Sequence, residues 1–152
     1  MEEPSGVDDS LALIADRVIP GARLLDARRL TGGVSAIVHA LDLEPRDGPP
    51  QTVVVRQLRS HAWGAPGDDP VGREFALTSA VFRAGIPVPE PLAAEPGADA
   101  GTGPFLAMAF ARGTTDIPPD RLETRLAVMA RTLASIHAVP TEDLPDLPLR
   151  MD

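Results

Sequence analysis

The sequence is organised by one short stretch, Leu30-Thr31-Gly32-Gly33-Val34-Ser35-Ala36-Ile37-Val38. Two adjacent glycines accept positive φ at no steric cost, so the chain can reverse sharply there. The flanks decide what kind of reversal it is. Ahead of it, residues 23–30 read as a strand. Behind it, residues 36–43 alternate, with Ile37, His39, Leu41 and Leu43 on one face and Ala36, Val38 and Ala40 on the other. That period of two is the mark of a strand. After a Pro-, Asp- and Gly-rich turn at 45–50, residues 51–58 carry Val53-Val54-Val55-Arg56, a strongly β-prone run. The expected unit is an antiparallel three-strand meander. Successive N–H groups in a glycine-rich turn can also cradle an anion. On its own the turn is equally an ordinary hairpin.

The other segments follow the same logic. Val7, Leu11, Ile14 and Val18 recur at helical spacing, with Asp8 and Asp9 early and Pro20-Gly21 as a stop. Residues 60–72 read as a loop, with Trp63 its one large side chain, packed on the surface rather than stacked on a ligand. A helix is predicted over 73–84, ended by Gly85 at C′ and barred from continuing by Pro87. Three prolines at 87, 89 and 91 impose an extended segment. Residues 92–95 and 105–110 are predicted strands. Leu122, Leu126, Met129, Leu133 and Ile136 then trace one stripe of a long helix, with Asp120 and Glu123 resembling a capping box. The order predicts an α+β fold, a five-stranded antiparallel sheet with a packed helix, followed by a linker and one long helix.

Composition excludes several function classes. The formal charge of −8 is wrong for a nucleic-acid surface and for anionic membranes. The chain has no cysteine, so thiol nucleophiles, disulfides and thiolate metal sites are out. It has no lysine, so any site that needs a cation must use arginine. The N-terminus is acidic and lacks a signal-like apolar run, and no stretch has the length of a membrane span. A cytoplasmic protein is the expectation.

Three features fall into one layout: the Gly-Gly turn, the strand cation Arg56, and Arg73-Glu74 at the start of the next helix. Each has an ordinary explanation: a hairpin, a solvated strand arginine, and an acid favoured by the helix dipole. Together they match the order of a nucleotide lobe: glycine loop, strand cation, helix glutamate. Alternation puts Val54 and Arg56 on one face, so Val54 would cover a base while Arg56 reaches phosphates.

The wording of the motifs resembles the aminoglycoside phosphotransferase and choline-kinase-like family. The matching segments are Leu30-Thr31-Gly32-Gly33-Val34-Ser35, Val53-Val54-Val55-Arg56, Arg73-Glu74-Phe75, Gly85-Ile86-Pro87-Val88-Pro89-Glu90-Pro91, Pro104-Phe105-Leu106-Ala107-Met108-Ala109-Phe110 and Leu133-Ala134-Ser135-Ile136-His137. The resemblance implies a kinase-like N-lobe and ATP as cofactor. It assigns Gly32, Gly33 and Ser35 to the phosphate loop and Arg56 to the phosphates, with Glu74 as its ion-pair partner. Val38 and Val54 fall on the adenine side. Met108, Ala109, Phe110 and Ala111 fall at the hinge, where backbone groups would bind the adenine edge. The family often has Asn after the Ser of its loop and an aromatic two further on; here those places hold Ala36 and Val38. His137 falls in a packing motif, not at a catalytic position.

The resemblance also defines what these residues do not contain. The family's His-Gly-Asp segment is not found and the chain has no asparagine. Asp143, Asp146 and Asp152 follow the long helix without that context. Residues 1–113 are therefore expected to form the nucleotide lobe, and 114–152 a linker and the first helix of a further lobe. Mg²⁺ is expected only with that lobe. The functional expectation is a partial ATP-dependent small-molecule phosphotransferase, inactive alone: a fragment, a truncated reading frame or half of a split enzyme. The alternative is a non-catalytic nucleotide-binding or interaction module. The expected partners are a nucleotide and either a separate chain supplying the second lobe or a second copy, held through the long helix.

Overall fold

The computed structural model describes residues 5–31, 36–58, 69–96, 101–114 and 118–145. Gly32, Gly33 and Ser35, the predicted phosphate loop, lie outside the described residues, as do Trp63, Asp146 and Asp152.

Helix α1 (Ser5–Val18) leads into β1 (Arg23–Leu30), β2 (Ala36–Glu44) and β3 (Gln51–Leu58). Helix α2 (Pro70–Arg83), β4 (Pro91–Glu95), β5 (Phe105–Ala109) and helix α3 (Leu122–His137) follow. The five strands form one antiparallel sheet in the order β1-β2-β3-β5-β4. The architecture is α+β and compatible with a kinase-like N-lobe. Among the described residues no helix is long and apolar enough to cross a membrane.

Alternation along the strands divides the sheet into two faces. On one, Leu41, Leu43, Val53, Val55, Phe105 and Ala107 are buried against Leu11, Ile14 and Ala15 of α1. Burying an aliphatic or phenyl side chain of this size stabilises by roughly 1.5–3 kcal/mol, so this layer is the main core. It leaves the opposite face for other contacts.

Edge strand β1 is half polar. Arg23 donates twice to Glu44 Oε2, at 3.1 and 2.7 Å, and Arg28 pairs with Asp42. Charges on an edge strand discourage pairing with another chain. The register shifts between Leu24 and Asp26, so Leu25 bulges out and is exposed.

Three expectations are corrected. Helix α2 starts at Pro70 rather than residue 73, because the Asp69 side chain caps it by accepting from Gly72 N–H at 2.7 Å and Pro70 is preorganised for the first turn. The Asp120–Glu123 capping box does not form. A 3₁₀ turn at Pro119–Arg121 takes up Asp120 and moves the α3 cap to Arg121, with no side-chain cap bond. The proline segment is not extended throughout, since Val88 N–H donates to the Ile86 carbonyl at 2.8 Å in a tight turn about Pro87.

Candidate functional site

The face opposite α1 carries the predicted site. Register places its side chains in rows across the sheet. Leu30 opposes Val38, Val38 opposes Arg56, and Arg56 opposes Leu106, which opposes Ala94. In the next row Arg28 opposes Ala40, Ala40 opposes Val54, and Val54 opposes Met108. Because side chains alternate, Val38, Val54, Arg56 and Met108 share this face, while Val53 and Val55 point to the core. One cation thus stands among short apolar side chains. Val38, Val54 and Met108 are half-buried, and Ala40 and Leu106 are buried.

Helix α2 packs against β4 and β5 and brings Glu74 to this face. Two local devices fix the helix. At its start stands the Asp69 cap. At its end Gly85, at φ +77°, lets Ile86 N–H reach the Val81 carbonyl and Gly85 N–H reach the Phe82 carbonyl. That pair of hydrogen bonds is the Schellman arrangement, and Ile86 is buried there. With α2 held at both ends, Glu74 Oε1 accepts from Arg56 Nη1, and both side chains are about one-third exposed. The pair orients the guanidinium and leaves its other N–H groups for a further anion.

Ala109 lies on the core side of β5, opposite Val53, so its side chain does not join the site. Its N–H donates to the Glu90 carbonyl at 2.8 Å, and Phe110 N–H donates to the Thr52 carbonyl at 3.3 Å. These two hinge N–H groups are therefore used by the fold. Ala111, the next residue, is exposed.

Four neighbours of this face are not evident from the sequence. Leu30 and Leu106 complete the Arg56 row. The period of two from Arg56 would have found Leu106 only once β3–β5 pairing was known. Arg28 and Thr52 stand beside the hinge. The Arg28 guanidinium lies over the Phe110 ring at 5.5 Å from its centroid and donates to Asp42 Oδ2 at 3.3 Å. Thr52 Oγ1 donates to Asp42 Oδ1 at 2.6 Å.

On the core face His39 is buried, and its Nδ1 has no hydrogen-bond partner. Burial, and secondarily the Arg29 charge, hold its pKa below the usual 6.5. It faces away from Arg56 and takes no part in the site. His137 ends α3. Among the described residues no three His, Asp or Glu side chains are gathered to hold a metal ion.

No curated protein matches the sequence. Over residues 26–150, however, it matches the model of the phosphotransferase enzyme family. That span includes β2 to β5 and most of β1, with Arg56, Glu74 and the hinge. The chain therefore belongs to the phosphotransferase enzyme family.

Proposed function

We propose that this chain is the nucleotide-holding part of an ATP-dependent small-molecule phosphotransferase of the aminoglycoside phosphotransferase type. The observation that carries the reading is Arg56, oriented by Glu74, on the same face as Val38, Val54 and Met108. The donor set fits the cofactor: a guanidinium for phosphate oxygens and short apolar side chains for a purine face. ATP, when bound, supplies the phosphoryl group. Residues 1–113 serve as the nucleotide lobe, with 114–152 as linker and first helix of a second lobe. Gly32, Gly33 and Ser35 supply backbone donors to the phosphates. With the Ala109 and Phe110 N–H groups engaged, the base-edge donor on the hinge is Ala111 N–H.

Holding ATP is ground-state binding and does not by itself lower the barrier. Transfer also needs an in-line nucleophile, a positioning acid and metal ions. The 152 residues contain no His-Gly-Asp segment and no asparagine. In this reading those groups come from polypeptide outside these residues. A second reading, a non-catalytic nucleotide-binding or interaction module, draws on α3, none of whose residues is buried.

Calorimetry of ATP binding to the purified chain, with labelled-phosphate transfer across an acceptor panel in Mg²⁺, tests both. The expected result is weak ATP binding, about tenfold weaker in Arg56→Ala, the scale of losing a hydrogen bond to a charged group, and no turnover. Absence of binding, or binding indifferent to Arg56→Ala, overturns the nucleotide role. Robust transfer abolished by Arg56→Ala shows that these residues suffice for catalysis.

A further inference from the structure

We propose that Arg28, Asp42 and Thr52 form a positioning bridge that holds Phe110, and through it the base-binding end of the hinge. The proposal rests on the nucleotide reading of this face.

The bridge spans three strands and ends on a residue just past β5. Asp42 accepts from Arg28 with one carboxylate oxygen and from Thr52 with the other. Asp42 and Thr52 oppose each other directly across β2 and β3. Thr52 also meets Phe110, accepting its N–H through the main-chain carbonyl. Arg28 then closes the circuit from β1 by lying over the Phe110 ring. A surface ion pair alone contributes little. Here the carboxylate instead fixes a guanidinium whose face covers an aromatic ring, an attraction that adds to packing.

The location gives the bridge a function. Regular structure in β5 ends at Ala109, and residues 110–114 carry none. The main-chain anchor of Phe110 is its N–H bond to Thr52, long at 3.3 Å. The ring contact is a second anchor at the point where the chain leaves the sheet. With two anchors, Phe110 holds the direction of the following peptide, which carries the Ala111 N–H. With the ring released, that peptide turns about one weak bond. Arg28 is thus a positioning residue for base binding, distinct from Arg56, which serves the phosphates. None of the three strand residues was evident as a group in sequence, because Arg28 and Phe110 lie far apart along the chain.

The test compares two probes, ATP and inorganic triphosphate, by calorimetry on the same chain. Triphosphate uses Arg56 but has no base. Arg28→Ala is expected to weaken ATP about two- to fivefold, the range an exposed cation over a ring supplies, and to leave triphosphate unchanged. Thr52→Val, which keeps the side-chain volume but removes the hydroxyl, is expected to move the ATP-to-triphosphate ratio in the same direction. The pair Arg28→Ala with Phe110→Leu should be no weaker than the worse single variant, since both remove one contact. Equal weakening of both probes means that Arg28 acts as a charge on phosphate, and overturns the bridge. Unchanged ATP binding overturns it too. Wild-type chain that binds triphosphate but not ATP overturns the bridge while sparing the phosphate role of Arg56. Wild-type chain that binds neither removes the nucleotide reading itself, and the bridge with it.

Discussion

At the scale of single residues, the two faces of the sheet hold two opposite treatments of a basic group. Arg56 is paired with Glu74 on a half-buried face. His39 gives its charge up. It is 8 % exposed, its Nδ1 is unpartnered, and Arg29 stands directly opposite across β1 and β2. Burial first and that cation second lower its pKa from 6.5. The unfolded chain then takes up a proton at higher pH than the folded one. Stability is therefore full above pH 6.5 and falls as pH drops from there toward the depressed folded value. The melting temperature should decline between neutral pH and pH about 5, and His39→Leu should flatten that slope. A slope unchanged in the variant would assign the acid sensitivity to other groups.

At the scale of elements, α2 matters most, because it delivers Glu74. Its start depends on a close approach: a Cβ added at Gly72 would sit 2.0 Å from Asp69 Oδ2. Asp69→Ala should cost about 1 kcal/mol, a fall in melting temperature of about 2–4 °C for a chain of this size. Gly72→Ala must displace the same carboxylate. The double variant should therefore melt close to the worse single one, and strict additivity in calorimetric melting would refute the shared cap. The element scale also shows what the sequence made legible. The meander was readable because alternation is local. The Arg56–Glu74 pair was legible only through the family resemblance, since strand period places Arg56 on its face but does not report where the helix packs. Gly85 was readable as a C′ residue because its role depends on its own φ. The Asp69 cap was missed because the apolar pattern begins only after it. Asp120 was misread because a 3₁₀ turn and a helical turn differ by one residue in where they place a cap. The Leu25 bulge and the Arg28–Phe110 contact depend on partners distant in sequence, and no local period reports them.

At the scale of the whole molecule, the described residues hold one well-filled core and one uncovered helix, α3. Leu122, Leu126, Met129 and Leu133 are each about half exposed or more, and Ile136 is 37 % exposed. The predicted stripe is thus present and open to solvent along α3. A contiguous apolar stripe of this kind favours association. Sedimentation velocity should show the isolated chain forming dimers or larger species as concentration rises, and Leu126→Glu with Met129→Glu should return it to monomer. A wild-type chain that stays monomeric at high concentration would contradict this. The proposed nucleotide site is the Arg56 face of the sheet, not the α1 face. Methyl chemical-shift mapping with added ATP tests it most directly, because methyl groups of alternate residues point to opposite faces. Shifts are expected at Val38, Val54 and Met108, with Ile14, Leu41, Val53 and Val55 unmoved. Shifts confined to the Ile14–Val55 side, or none at any ATP concentration, would contradict it.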